Sequence, residues 1–190
     1  MPKGRCCADR RPALCLHSIR GLPIKNSWLY YGLTGAGLFA LDQATKYLVL
    51  SKIPIGTDTD VIPHFFRIVS VRNTGIVFGL FSQSQNASHQ GGFILFTALA
   101  LFGILFYSHK KKRAGSPEFY PLALILGGAT GNLLDRIQHG RVIDFLDFYV
   151  GDYHWPAFNI ADSGIVVGVG LLLFLQWGEE RKQRRATVER

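Results

Sequence analysis

Four apolar runs constrain this chain more than any other feature. They cover Trp28 to Leu50, Gly91 to Ser108, Phe119 to about Ile137, and Ala157 to Trp177. At 1.5 Å of rise per helical residue, runs of about 18 to 23 residues reach across a hydrocarbon core of roughly 30 Å. That environment forces every backbone N–H and C=O to be satisfied internally, which selects helices. Charged residues make up only 18% of the chain, against the roughly 25% of a soluble domain.

The charges are also segregated. Residues 1–27 carry a net +5, Lys110 to Arg113 follow the second run, and Arg181, Lys182, Arg184, Arg185 and Arg190 follow the fourth. The 51–91 loop is nearly neutral, and Arg141 to Trp155 sums to −2. This Lys/Arg bias places both tails and the middle loop in the cytoplasm and the other two loops outside. The formal charge of +8 does not read as a nucleic-acid footprint. Basic residues flank apolar runs instead of interleaving with exposed aromatics. Cys6, Cys7 and Cys15 all lie in the N-terminal tail. An odd count without ligand spacing argues for free thiols and against a disulfide framework or a zinc site.

The expected architecture is an all-α integral membrane protein. Four transmembrane helices carry a small extracytoplasmic β-rich loop between helices 1 and 2. Residues 1–27 form a basic cytoplasmic tail, 28–178 the four-helix membrane region and 179–190 a second basic tail. Phe65 to Val71 is β-branched and aromatic and reads as a strand, Asn73-Thr74-Gly75 as a turn, and Ile76 to Leu80 as a second strand. Residues 138–156 read as a short polar loop with interfacial aromatics, and Pro156 as part of the last helix's first turn. The pairs Gly127/Gly131 and Gly164/Gly168 predict close helix approach.

Charges at membrane depth are costly and are kept where something uses them. Asp42 and Lys46 lie near the outer end of the first run, four apart with the acid first. They read as a helical pair that neutralises itself, with direct ligand contact as the alternative. Asp135 and Arg136 lie near the outer end of the third run, Asp144 follows just beyond it, and Asp162 is about five residues into the fourth. All of these charges fall at one face. Two carboxyls in one low-dielectric site share a proton. The ionised one can deprotonate water while the protonated one hydrogen-bonds a carbonyl. That is aspartic-protease chemistry, needing no metal and no cofactor. Asp144 and Asp162 form the best pair, and Asp135, beside Arg136, reads as a salt-bridged structural group. His139 and His154 lack metal-ligand spacing, Ser163 has no evident histidine partner, and no phosphate loop is present. A transporter would instead place ionisable groups near the midplane or at both faces. A binding scaffold without catalysis would not need the aspartate pair.

Four blocks then carry a family resemblance over about residues 28–178. They are Asp42-Gln-Ala-Thr-Lys46, Asn73-Thr-Gly75-Ile-Val-Phe78-Gly79, Gly127 through Asp135-Arg136 to Asp144-Phe145, and Phe158-Asn159-Ile-Ala-Asp162-Ser163. In this order they resemble the lipoprotein signal peptidases, also called signal peptidase II. The resemblance implies that Asp144 and Asp162 are the catalytic dyad. It implies that Asn73, Asn132, Arg136 and Asn159 line the site, and that Asp42 and Lys46 support it. It further implies a multi-pass enzyme of the bacterial inner membrane with its site at the outer face. Such an enzyme removes the signal peptide from diacylglyceryl-modified prolipoproteins, just before the lipid-bearing cysteine. Membrane lipids would be its surroundings, globomycin its inhibitor, and a monomer its expected state. Val77 is bulkier than the small residue usual in the second block, and the tail before Trp28 is longer than the family core requires.

Overall fold

The computed structural model describes residues 27–74, 87–110 and 117–188. The elements run α1 (Ser27–Lys52), β1 (Asp58–Ile62), β2 (Phe66–Asn73), α2 (Ala87–Lys110), α3 (Phe119–His139), β3 (Val142–Val150), β4 (Tyr153–His154) and α4 (Ile160–Val188). The strand expected at Ile76 to Leu80, the Gly75 turn position and Val77 lie outside the described residues. So do most of the N-terminal tail and the basic residues Lys111, Lys112 and Arg113.

This is a bundle whose polar groups are inside. The largest fully buried side chains are Lys46, Asn159, Asp42, Asp135, Ser70 and Ser108. Leu33, Phe96, Leu99, Phe102, Val166 and Phe174 are all exposed, Phe96 at 73%. An apolar surface of this extent requires an apolar solvent or a partner. Among the described residues, Gln90–Lys110 and Ile160–Val188 are long and apolar enough to cross a membrane. Among the charged side chains carried by helices, the buried ones, Asp42, Lys46 and Asp135, belong to the other two helices, α1 and α3.

Glycine lets those helices approach closely. A Cβ on Gly127 would overlap the Gly35 carbonyl of α1, and one on Gly128 would overlap the Ala161 carbonyl of α4. At Gly131 it would come within 2.6 Å of Asp42 Oδ2, and at Gly168 within 2.8 Å of the Pro121 carbonyl. Gly164 is pressed against Leu38. Each of the four expected glycines therefore meets a neighbouring helix, and α3 lies against both α1 and α4.

The β structure differs from the sequence reading. It is a four-stranded antiparallel arrangement in the order β1-β2-β3-β4, drawn from two loops. Residues 142–150, read above as part of a polar loop, form its longest strand. Phe66 pairs with Phe148, Val71 with Asp144, and Asn73 with Val142. The segment Val142–Val150 contains Val, Ile, Phe and Tyr, all good strand formers. Its interrupted alternation hid it, because Val142, Ile143, Asp144 and Phe145 are buried in succession. One side of β3 faces the helices and the other is partly covered, so no polar-out pattern survives. Gly140 makes the turn into β3, with φ of 67° and its N–H donating to the Arg136 carbonyl at 3.0 Å. From α2, Gln90 Nε2 donates to the Gly140 carbonyl at 2.8 Å.

The fourth helix also differs. It begins at Ile160, three residues later than expected, and continues through Trp177 to Val188. Pro156 lies ahead of the helix. Phe158 is held in a bridge with Leu146, so the helix cannot start before Asn159.

Candidate active site

The ends of α1, α3 and α4 meet the β2–β3 ladder at one end of the bundle. Asn159 is the junction. Its side-chain Oδ1 accepts the Asp162 N–H at 2.9 Å, and Asp162 Oδ2 accepts the Asn159 N–H at 3.3 Å. This reciprocal pair is a capping box, so Asp162 sits in the first turn of α4 for a local reason. The Asn159 Nδ2 donates to Asp144 Oδ1 at 2.8 Å, to the Ile143 carbonyl at 3.2 Å and to Asn132 Oδ1 at 3.2 Å. One fully buried amide thus ties the α4 aspartate to the β3 aspartate.

Two further asparagines complete the surroundings. Asn132 Nδ2 donates to Asp162 Oδ1 at 2.7 Å, and Asn73 Nδ2 donates to Asp144 Oδ2 at 3.0 Å. Among the described residues each of the four carboxylate oxygens therefore accepts an amide N–H, and none of these donors can take up a proton. A proton held by the pair must be directed to the other carboxyl, to water or to a bound carbonyl.

Asp144 is only 2% exposed. Burial pushes its carboxyl up to about 6, with the charge of Asp162 adding to the rise and the bonds from Asn73 and Asn159 opposing it. A carboxyl in this range can both take and give a proton near neutral pH.

Beneath the aspartates lies a buried ionic cluster. Lys46 Nζ is 2.8 Å from Asp42 Oδ2, 2.7 Å from Asp135 Oδ2 and 3.0 Å from Asn132 Oδ1. Asp42 Oδ1 also accepts the Ala161 N–H at 2.9 Å, and Asp135 Oδ2 accepts the Ile143 N–H at 3.3 Å. Asp135 thus pairs with Lys46 of another helix and not with its neighbour Arg136, because adjacent helical residues point about 100° apart. Breaking such a buried group by removing one member costs about 3–5 kcal/mol. Arg136 donates to the Asn132 carbonyl at 3.3 Å and lies within electrostatic reach of Asp162, Asp144 and Asp135.

All nine candidate residues are gathered at this one end, either around the two aspartates or in the cluster beneath them. Gln43 and a four-residue group on the sheet escaped the sequence reading. Gln43 donates to Asp42 Oδ2 at 3.2 Å and to Asp135 Oδ1 at 3.2 Å. It lies inside the first block, but nothing in helical spacing separates it from its neighbours. Arg67 and Asp147 pair across β2 and β3 at 2.7 Å, with Asp58 of β1 at 2.8 Å from Arg67 and His154 of β4 at 3.0 Å from Asp147. This group ties all four strands together beside the ladder that carries Asn73 and Asp144. Finding it needed the strand register. Among the described residues no cluster of His, Cys, Asp and Glu has the geometry of a metal site.

Comparisons with known proteins identify the family. A family model described as Signal peptidase (SPase) II matches residues 35–177. A lipoprotein signal peptidase of Solibacter usitatus is 42% identical over 146 residues, covering 77% of this chain and 88% of its own. That of Oleidesulfovibrio alaskensis is 46% identical over 138 residues, covering 72% and 86%. A bacterial membrane enzyme solved by the in meso method superposes with a TM-score of 0.70 at 31% identity, covering 84% of this chain and 92% of that one.

Proposed function

Because this chain belongs to the signal peptidase II family, we propose that Asp144 and Asp162 are its catalytic pair. The activity is aspartic-peptidase cleavage of signal peptides from prolipoproteins. In the finer reading, the substrate's cysteine already carries a diacylglyceryl group and the cut falls just before it.

The observation that carries the assignment is the donor shell in which Asn159 touches both carboxyls. The pair shares one proton. The ionised carboxyl takes a proton from water, which attacks the scissile carbonyl carbon, while the protonated carboxyl hydrogen-bonds the carbonyl oxygen. On collapse, a carboxyl returns a proton to the leaving amine, so no cofactor enters the balance. The asparagine donors stabilise the carboxylates without competing for the proton. Arg136, anchored by its bond to the Asn132 carbonyl, orients the peptide or the lipid-bearing end of the substrate. Asn73 holds the sheet side of the cleft.

In this reading α1 to α4 all cross the bacterial inner membrane. Both termini are cytoplasmic and the sheet and aspartates lie at the outer face. The positions of Lys110 at the end of α2 and of Arg181 to Arg185 late in α4, away from the sheet end, support that orientation. The enzyme acts as a monomer, takes its substrate laterally from the lipid and is blocked by globomycin. The test is purified protein with a lipidated lipobox peptide. Cleavage before the lipidated cysteine, stopped by globomycin and by Asp144→Asn or Asp162→Asn, is expected. Wild-type turnover by either variant would overturn the assignment.

A further inference from the structure

The family match stops at Trp177, but α4 continues as helix to Val188. The face that packs on the bundle carries Ala161, Gly164, Gly168 and Leu172, spaced three or four apart. The outward face carries Val167, Phe174 and Trp177, at 52%, 66% and 53% exposure. Continued at helical spacing, that outward face becomes Arg181, Arg184 and Arg185. Glu179, Lys182 and Gln183 instead continue the bundle side, and Glu180 lies at the margin of the outward face, about two turns beyond Leu173. The Arg181 guanidinium stacks over the Trp177 ring at 3.9 Å from its centroid. Residues 178–186 are exposed except Gly178, which is partly covered.

We propose that this basic face binds the anionic phospholipid headgroups of the leaflet at the C-terminal end of α4. The proposal rests on α4 crossing the bilayer. With Ile160 at one boundary, Arg181 falls about 31 Å along the helix, at the opposite edge of a core of roughly 30 Å. Arg184 and Arg185 lie about 5–6 Å further, within the headgroup layer. Three arginines leave the helix on the side that meets lipid, against one acid, Glu180, at that side's margin. A face turned toward a protein docked below the bundle would have no reason to follow the lipid-facing line. Trp177 fixes the depth at which Arg181 emerges, and arginine matches phosphate with a rigid fork of donors.

Trp177 provides the probe. The full chain with Trp28→Phe and Trp155→Phe is reconstituted in bilayers of phosphatidylcholine and phosphatidylglycerol, with one lipid at a time brominated near the headgroup. Quenching of Trp177 should report local enrichment of phosphatidylglycerol of about threefold or more. The enrichment should collapse in the Arg181→Gln/Arg184→Gln/Arg185→Gln variant and at high salt. Equal quenching by the two lipids, or enrichment that survives the triple substitution, overturns the proposal while leaving the membrane span intact. No quenching by either lipid overturns both the span and the proposal. Peptide cleavage in detergent by the triple variant should match wild type, since the arginines lie about 29 Å or more along α4 from Asp162.

Discussion

At the scale of single residues, the aspartate pair and Asn159 carry separable tasks. In the proposed mechanism Asp144→Asn and Asp162→Asn each remove a proton-transfer group, so cleavage of a lipidated peptide should fall by about 10³-fold or more. Substrate retention on the immobilised variants should persist. Asn159 both caps α4 and donates to Asp144. Asn159→Ala should lose about 1–2 kcal/mol of stability through the cap, along with most of the turnover. Asn159→Ser should recover the stability, since serine caps well, but not the turnover, since it is too short to reach Asp144. Thermal melts in detergent beside turnover rates separate the two effects. If Asn159→Ser recovers turnover too, the bridging role is wrong. The aspartates themselves were legible in the sequence because charge in an apolar context stands out against its surroundings. The amide between them was recognisable only as part of a family block, since one asparagine before a helix usually reads as a cap and no more.

At the scale of elements, glycines set how closely α3 approaches α1 and α4. A Cβ at Gly128 would overlap the Ala161 backbone carbonyl, which cannot move aside cheaply, whereas at Gly170 it would meet nothing within 4 Å. Gly128→Ala should therefore destabilise the protein by about 1–3 kcal/mol. Gly170→Ala should be neutral or stabilise by up to about 1 kcal/mol. Detergent melts of the two variants would check this, and equal melts would refute the close packing. Ala161 is one residue before Asp162, so the Gly128 variant should also lose activity. The helices and their small-residue contacts were readable because a membrane-length apolar run and a four-residue glycine spacing are local signals. Strand β3 was not. Its hydrogen-bond partner β2 lies some 70 residues away in sequence, and burial on successive residues erased the alternation by which strands are recognised.

At the scale of the whole molecule, the site strains the fold that holds it. Raising the Asp144 carboxyl from 3.8 to about 6 makes its ionisation in the folded protein cost about 3 kcal/mol. The sign follows from proton binding. Between pH 4 and 6 the folded state holds a proton that the unfolded state has released. This contribution is therefore full below about pH 4, declines as pH rises through 6, and is gone above it. Unfolding measured from pH 4.5 to 7.5 should show the decline in wild type and a flatter profile in Asp144→Asn. Parallel profiles would mean that Asp144 titrates normally. Stability given up at working pH is consistent with a carboxyl kept available for proton transfer.

The sequence by itself determined the apolar runs, the basic residues that flank them, the glycine contacts and the two aspartates as candidates. Each rests on local composition or on spacing within one element. Only the tertiary structure decided that two separate loops share one sheet, that Lys46 joins Asp42 and Asp135, and that Asn159 touches both carboxyls. Those facts depend on which residues from distant elements share one buried volume. In that volume every charge and amide must find a partner, because a polar group buried without one is costly.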